Sequence, residues 1–144
     1  MNKRVVLIVG IVLLLVITIA VYLIYPIFNV VEKNEEIAIK EGSIIAEGIF
    51  LPSAHEVKGK AIVIDDNGKN ILRFEDFETI NGPDLRIYLS TGLDVTDAID
   101  LGPIKATKGN INYELDNSVD LEKYDNVLVW CRAFNVLFSY SEIR

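Results

Sequence analysis

The chain has 144 residues, with 14 Lys and Arg against 21 Asp and Glu and a net charge of −7. An acidic balance of this size argues against nucleic acid as a partner and against tight contact with anionic lipid. One cysteine, Cys131, permits no intramolecular disulfide.

Val5 to Ile24 is a run of 20 residues with no charge. As a helix it reaches roughly 30 Å, the thickness of a bilayer core. Lys3 and Arg4 precede it, and Glu32, Lys33, Glu35 and Glu36 follow it. The positive-inside rule then puts the N-terminus in the cytoplasm and everything after the helix outside it. A cleaved signal peptide is the rival reading. It usually has a shorter apolar run and a small-x-small cleavage site, and Ala20-Val21-Tyr22 offers no such site. An uncleaved anchor over residues 1–25, contacting the membrane through residues 5–24, is therefore favoured.

Residues 26–42 read as a juxtamembrane spacer and residues 43–144 as one domain. Lys3 and Arg4 set aside, the 14 basic residues become 12, against all 21 acidic ones, so residues 26–144 carry −9. The domain has length for one core. Ser43–Phe50 reads as a first strand. Lys58–Asp65 and Asn70–Phe77 read as a hairpin around Asn67-Gly68, a pair that supplies the positive φ angles of a tight turn. Asn81-Gly82-Pro83-Asp84 is a turn, and Leu85–Ser90 alternates apolar and polar residues. Val95–Asp100 is expected as a loop or single helical turn. Gly102–Ala106 and Ile111–Leu115 are expected as a second hairpin around Lys108-Gly109-Asn110. Val119–Tyr124 is expected as one helical turn. Asn126–Ala133 and Val136–Tyr140 close the series, hinged at Phe134-Asn135. The expected fold is all-β: an antiparallel sandwich or barrel of seven to eight short strands after one transmembrane helix.

The thiol is the side chain with intrinsic redox and soft-metal chemistry. In the strand around it, alternate residues share a face. Val127, Val129, Cys131 and Ala133 lie on one side, and Leu128, Trp130, Arg132 and Phe134 on the other. Periodicity alone favours a buried, inert cysteine. A bulge near Cys131 would overturn that. If the bulky face were the core, Arg132 would stack on Trp130 and Cys131 would be accessible. If the small face were the core, the aromatics would form an exposed patch. A buried Trp130 is favoured, because large aromatics usually supply the core of so small a domain.

Counting excludes most metal centres. The chain has one His, His55, and its only Met is Met1, too few ligands for blue copper, iron–sulfur or structural zinc. No metal site is assigned. Asp65-Asp66-Asn67-Gly68 resembles part of a calcium loop but lacks the later glutamate. Noncovalent haem with Cys131 or His55 as axial ligand remains open, as does thiol exchange at Cys131. A Cys131–His55 catalytic pair is less favoured than a solvated histidine. The poverty of catalytic groups points to a redox or binding module rather than a turnover enzyme.

Residues 44–144 resemble the DM-thirteen domain family, found beside DOMON and cytochrome-type domains in surface redox proteins. The landmarks run in order: Gly48-Ile49-Phe50, His55, Gly59, Leu72 to Phe77, Asn81-Gly82-Pro83-Asp84-Leu85, Tyr88-Leu89-Ser90 and Leu101-Gly102. Gly109 to Tyr113, Val119-Asp120-Leu121, Tyr124, and Trp130-Cys131-Arg132-Ala133-Phe134-Asn135-Val136-Leu137-Phe138 complete them. The resemblance implies an all-β fold and electron transfer through Cys131, as a free thiol or as a ligand to a group such as haem. His55 falls on the family's histidine landmark. The expected function is a membrane-anchored extracytoplasmic domain acting in electron transfer or thiol redox, with a separate redox protein or membrane complex as partner. The alternative is a non-catalytic interaction module or accessory subunit of a membrane complex.

Overall fold

The computed structural model describes residues 2–25, 29–36 and 42–144. The helix α1 spans Lys3–Ile24. Asn2 caps its start, accepting a bond from the Arg4 amide at 3.5 Å. None of its residues is buried, and it is long and apolar enough to cross a membrane.

Among the described residues ten strands follow, two or three more than the alternation in the sequence suggests: β1 Glu32–Asn34, β2 Ser43–Ile49, β3 Leu51–Pro52, β4 Val57–Asp65, β5 Asn70–Thr79, β6 Leu85–Ser90, β7 Ala98–Pro103, β8 Lys108–Glu114, β9 Asn126–Cys131 and β10 Val136–Glu142. They form two five-stranded sheets, ordered β1-β8-β5-β4-β2 and β3-β10-β9-β6-β7. Every pairing is antiparallel except β1 with β8. The mostly β, two-sheet architecture matches the expected sandwich.

The sheets meet over one core, where Phe50 packs edge-on against Phe74 and Phe77 at 4.9 and 5.0 Å. Phe50 is the corner residue between β2 and β3, which lie in opposite sheets. The β4–β5 hairpin turns as expected on Asn67 and Gly68, whose φ angles are 54° and 81°. The Asp65 carboxylate accepts from the Gly68 amide at 2.7 Å, so it serves the turn.

Three stretches differ from expectation. Ala98–Pro103 is a strand paired with β6, not a loop. Residues 102 and 111 belong to different sheets, so no hairpin joins them, and Gly109 and Asn110 lie inside β8. The spacer contributes β1, with Glu32, Lys33 and Asn34 opposite Lys108, Gly109 and Asn110. Arg73 fastens that segment: its Nη1 donates to the Glu35 carbonyl and to Asn112 Oδ1, both at 2.9 Å.

Candidate functional site

β9 lies between β10 and β6, and all six of its residues are buried. Val127, Val129 and Cys131 face the main core. Leu128 and Trp130 face the other way and form a second cluster with Tyr88, edged by Leu137 and Tyr140. Cross-strand neighbours on one face cover one another in this way. Both faces of the strand are thus closed: Trp130 is buried as expected, and the small face with Cys131 is buried as well, so a buried Trp130 does not leave the thiol accessible. Trp130 is 8% exposed and Cys131 0%. A bulge does occur beside Cys131, but in the neighbouring strand. Register in β10 shifts between Leu137 and Ser139, and Phe138 is the extra residue. β9 keeps its alternation, so the thiol stays inside.

The sulfur of Cys131 donates to the carbonyl of Pro83 at 3.1 Å. The Asn81–Asp84 turn therefore lies over the thiol. Asp84 takes a left-handed φ of 61°. Arg132 secures it twice, its amide donating to the Asp84 carbonyl at 3.0 Å and its Nε to Oδ2 at 2.6 Å. That ion pair replaces the stacking on Trp130 expected of Arg132. Gly82 is buried beneath the turn, and a Cβ there would come within 2.9 Å of the Phe138 ring.

On the outer side of the turn is a cleft of ≈ 310 Å³ lined by His55, Asn81, Gly82, Pro83, Phe134 and Phe138. His55 is held by its backbone, whose N–H donates to the Phe138 carbonyl at 3.1 Å. Its ring lies 4.0 Å from the Phe138 ring. The two landmarks far apart in sequence, His55 and Cys131, thus meet opposite sides of one turn. A larger hollow of ≈ 520 Å³, lined by Glu35, Lys105, Asn112 and Glu114, has no thiol or imidazole in its wall.

These residues do not fit a haem held through Cys131. The Sγ atom is enclosed between the sheets and engaged by Pro83, so an iron atom would reach it only by parting the sandwich. The His55 cleft lies at the small end of ligand sites, roughly 300–1,000 Å³, and suits a side chain or small ring rather than a porphyrin. What the arrangement offers is a thiol behind a thin wall, with an apolar cleft in front. Sequence reasoning missed Phe138 and Pro83 as the parts that join the thiol to the histidine. The only signal was their place among the ordered landmarks.

A family model described as electron transfer DM13 matches residues 50–143. Neither a curated protein nor a solved structure matches the chain.

Proposed function

The chain belongs to the electron transfer DM13 family, and on that premise we propose that it is a membrane-anchored redox module standing outside the cytoplasm, with Cys131 as its redox group. Residues 1–25 serve as the anchor and 43–144 as the folded domain. The observation that carries this reading is the contact between Cys131 Sγ and the Pro83 carbonyl. It leaves the thiol one residue behind a cleft that a partner can enter.

In thiol exchange, the Cys131 sulfur loses its proton and bonds to one sulfur of a partner's disulfide. The partner's other sulfur leaves as a thiolate and takes up a proton. The approach to Sγ runs through the Gly82-Pro83-Asp84 turn, which swings aside. Alkylation of the full chain in mild detergent tests this. The thiol is expected to react under native conditions faster than the domain unfolds. Reaction only after denaturation would remove Cys131 from the mechanism. For the orientation, protease added to intact cells is expected to remove the domain and spare the anchor. Cleavage only after lysis would reverse it.

Complete burial of the thiol favours a second reading, a non-catalytic interaction module or accessory subunit of a membrane complex. In it Cys131 is a packing residue. Partners that stay bound to a Cys131→Ala variant in detergent extracts, with redox function intact, would support this reading over the first.

A further inference from the structure

We propose that the end of the sandwich bearing His55, Pro83 and Phe134 rests on the surface of the bilayer. The inference builds on the anchor reading of α1. Its first support is the length of the tether. The helix closes at Tyr25, and the carbonyl of Asn29 accepts a bond from Asn81 Nδ2 at 3.1 Å. Four residues of chain span at most about 14 Å. Asn81, in the wall of the His55 cleft, is therefore tied close to the membrane end of the anchor.

The sheet register assigns other residues to that same end. Val57 opens β4 opposite Thr79, and the Asn81–Asp84 turn follows β5. Leu85 opens β6 opposite Cys131, and Val136 opens β10 opposite Cys131. Exposed apolar side chains gather there: Val30 at 70%, Phe134 at 53%, Ile80 at 39% and Val136 at 36%. A patch of this kind marks a protein or membrane contact.

Charge separates the two ends. Near the tether, Asp84 is paired with Arg132 and Glu78 with Lys58. The opposite end carries Asp66 in the β4–β5 turn, Asp94 and Asp97 after β6, and Asp116, Asp120 and Asp125 between β8 and β9. The acidic excess thus points away from the tether, and the near end, where the exposed Glu56 stands beside two ion pairs, carries little net charge and suits zwitterionic headgroups. Docked in this way, the cleft opens toward lipid, Cys131 lies at the membrane-facing end of the domain, and the partner that enters the cleft is itself membrane-bound.

The test uses the full chain in phosphatidylcholine vesicles with or without bromine on the acyl chains. Bromine quenches tryptophan on contact, and the wild-type chain with Trp130 sets the baseline. Phe134→Trp and, separately, Ile80→Trp are expected to add emission that brominated lipid removes. Leu93→Trp, in the exposed loop after β6, is expected to keep its added emission. Added emission at 134 and 80 that brominated lipid leaves intact would overturn the docking, and so would quenching at 93 alone. Flotation separates this from the anchor reading. A chain that floats with vesicles but shows no quenching refutes the docking alone, and a chain that does not float refutes both.

Discussion

Arg132 grips Asp84 from main chain and side chain at once, at 3.0 and 2.6 Å, and Asp84 follows the residue whose carbonyl receives the Cys131 thiol. The ion pair is a latch on the turn over the sulfur.

Breaking that latch is expected to speed the thiol rather than unfold the domain. The two side chains are 58% and 34% exposed, so the pair is worth about 1 kcal/mol or less. Arg132→Ala should therefore raise the native alkylation rate of Cys131 by up to about fivefold, with urea stability nearly unchanged. An unaltered rate would mean that the reagent enters by another route.

Gly59→Ala should cost more than about 2 kcal/mol. Its φ is +103°, and an added Cβ would come within 2.6 Å of the Glu75 carbonyl and 2.8 Å of the Phe77 Cα. Gly68→Ala is the control. It also has positive φ, at +81°, but nothing lies within 4 Å, so only the backbone penalty of about 1–2 kcal/mol applies. Urea midpoints for the two variants measure the steric difference.

Ser139 is fully buried and its hydroxyl has no hydrogen-bond partner. A buried hydroxyl without a partner costs about 1–3 kcal/mol. Ser139→Ala is expected to raise stability by about 1 kcal/mol. A fall in the denaturation midpoint would show that the hydroxyl is satisfied.

Acid and alkali should act on different sides of the first sheet. Burial pulls the Glu75 carboxyl up, but hydrogen bonds from Arg73 and Lys60, with their charges, outweigh it and leave it below its ordinary 4.5. Its stabilisation is present above pH 4.5 and lost as pH falls further. Burial holds the Tyr113 hydroxyl up to about 12, against an ordinary 10. That contribution is complete below pH 10 and lost as pH rises toward 12, amounting to about 2–3 kcal/mol. Glu75→Gln should flatten the acid limb of a stability–pH curve, and Tyr113→Phe the alkaline limb.

The strands that bury one face were legible because their side chains alternate. Leu85–Ser90 and the hairpin on Asn67-Gly68 fall where the sequence puts them. β1 was not legible, since Glu32, Lys33 and Asn34 are all exposed and join the sheet through backbone bonds and the Asn34 side chain, whose Oδ1 accepts from the Asn110 amide at 3.2 Å. Lys108-Gly109-Asn110 imitates a turn, yet it is strand. Gly109 is required there because a Cβ would collide with the Lys33 carbonyl of β1. The inward face of Cys131 followed from period two. Its cover did not, because Pro83 and Phe138 reach it through a turn and a bulge, and neither obeys a period.

The described strands leave four sheet edges, and each meets some obstacle to joining a second chain. β1 is charged, and β3 and β7 contain Pro52 and Pro103, which lack the donor a new strand would need. β2 has neither device, and it exposes Ile44, Ile45 and Ile49. Its outer side is occupied instead by Arg144, whose amide and carbonyl exchange bonds with Glu47 at 3.1 and 2.9 Å. Those two backbone bonds thus occupy donors and acceptors of the β2 edge that a strand from a second chain would otherwise take, so the backbone of a single residue guards this edge against edge-to-edge pairing.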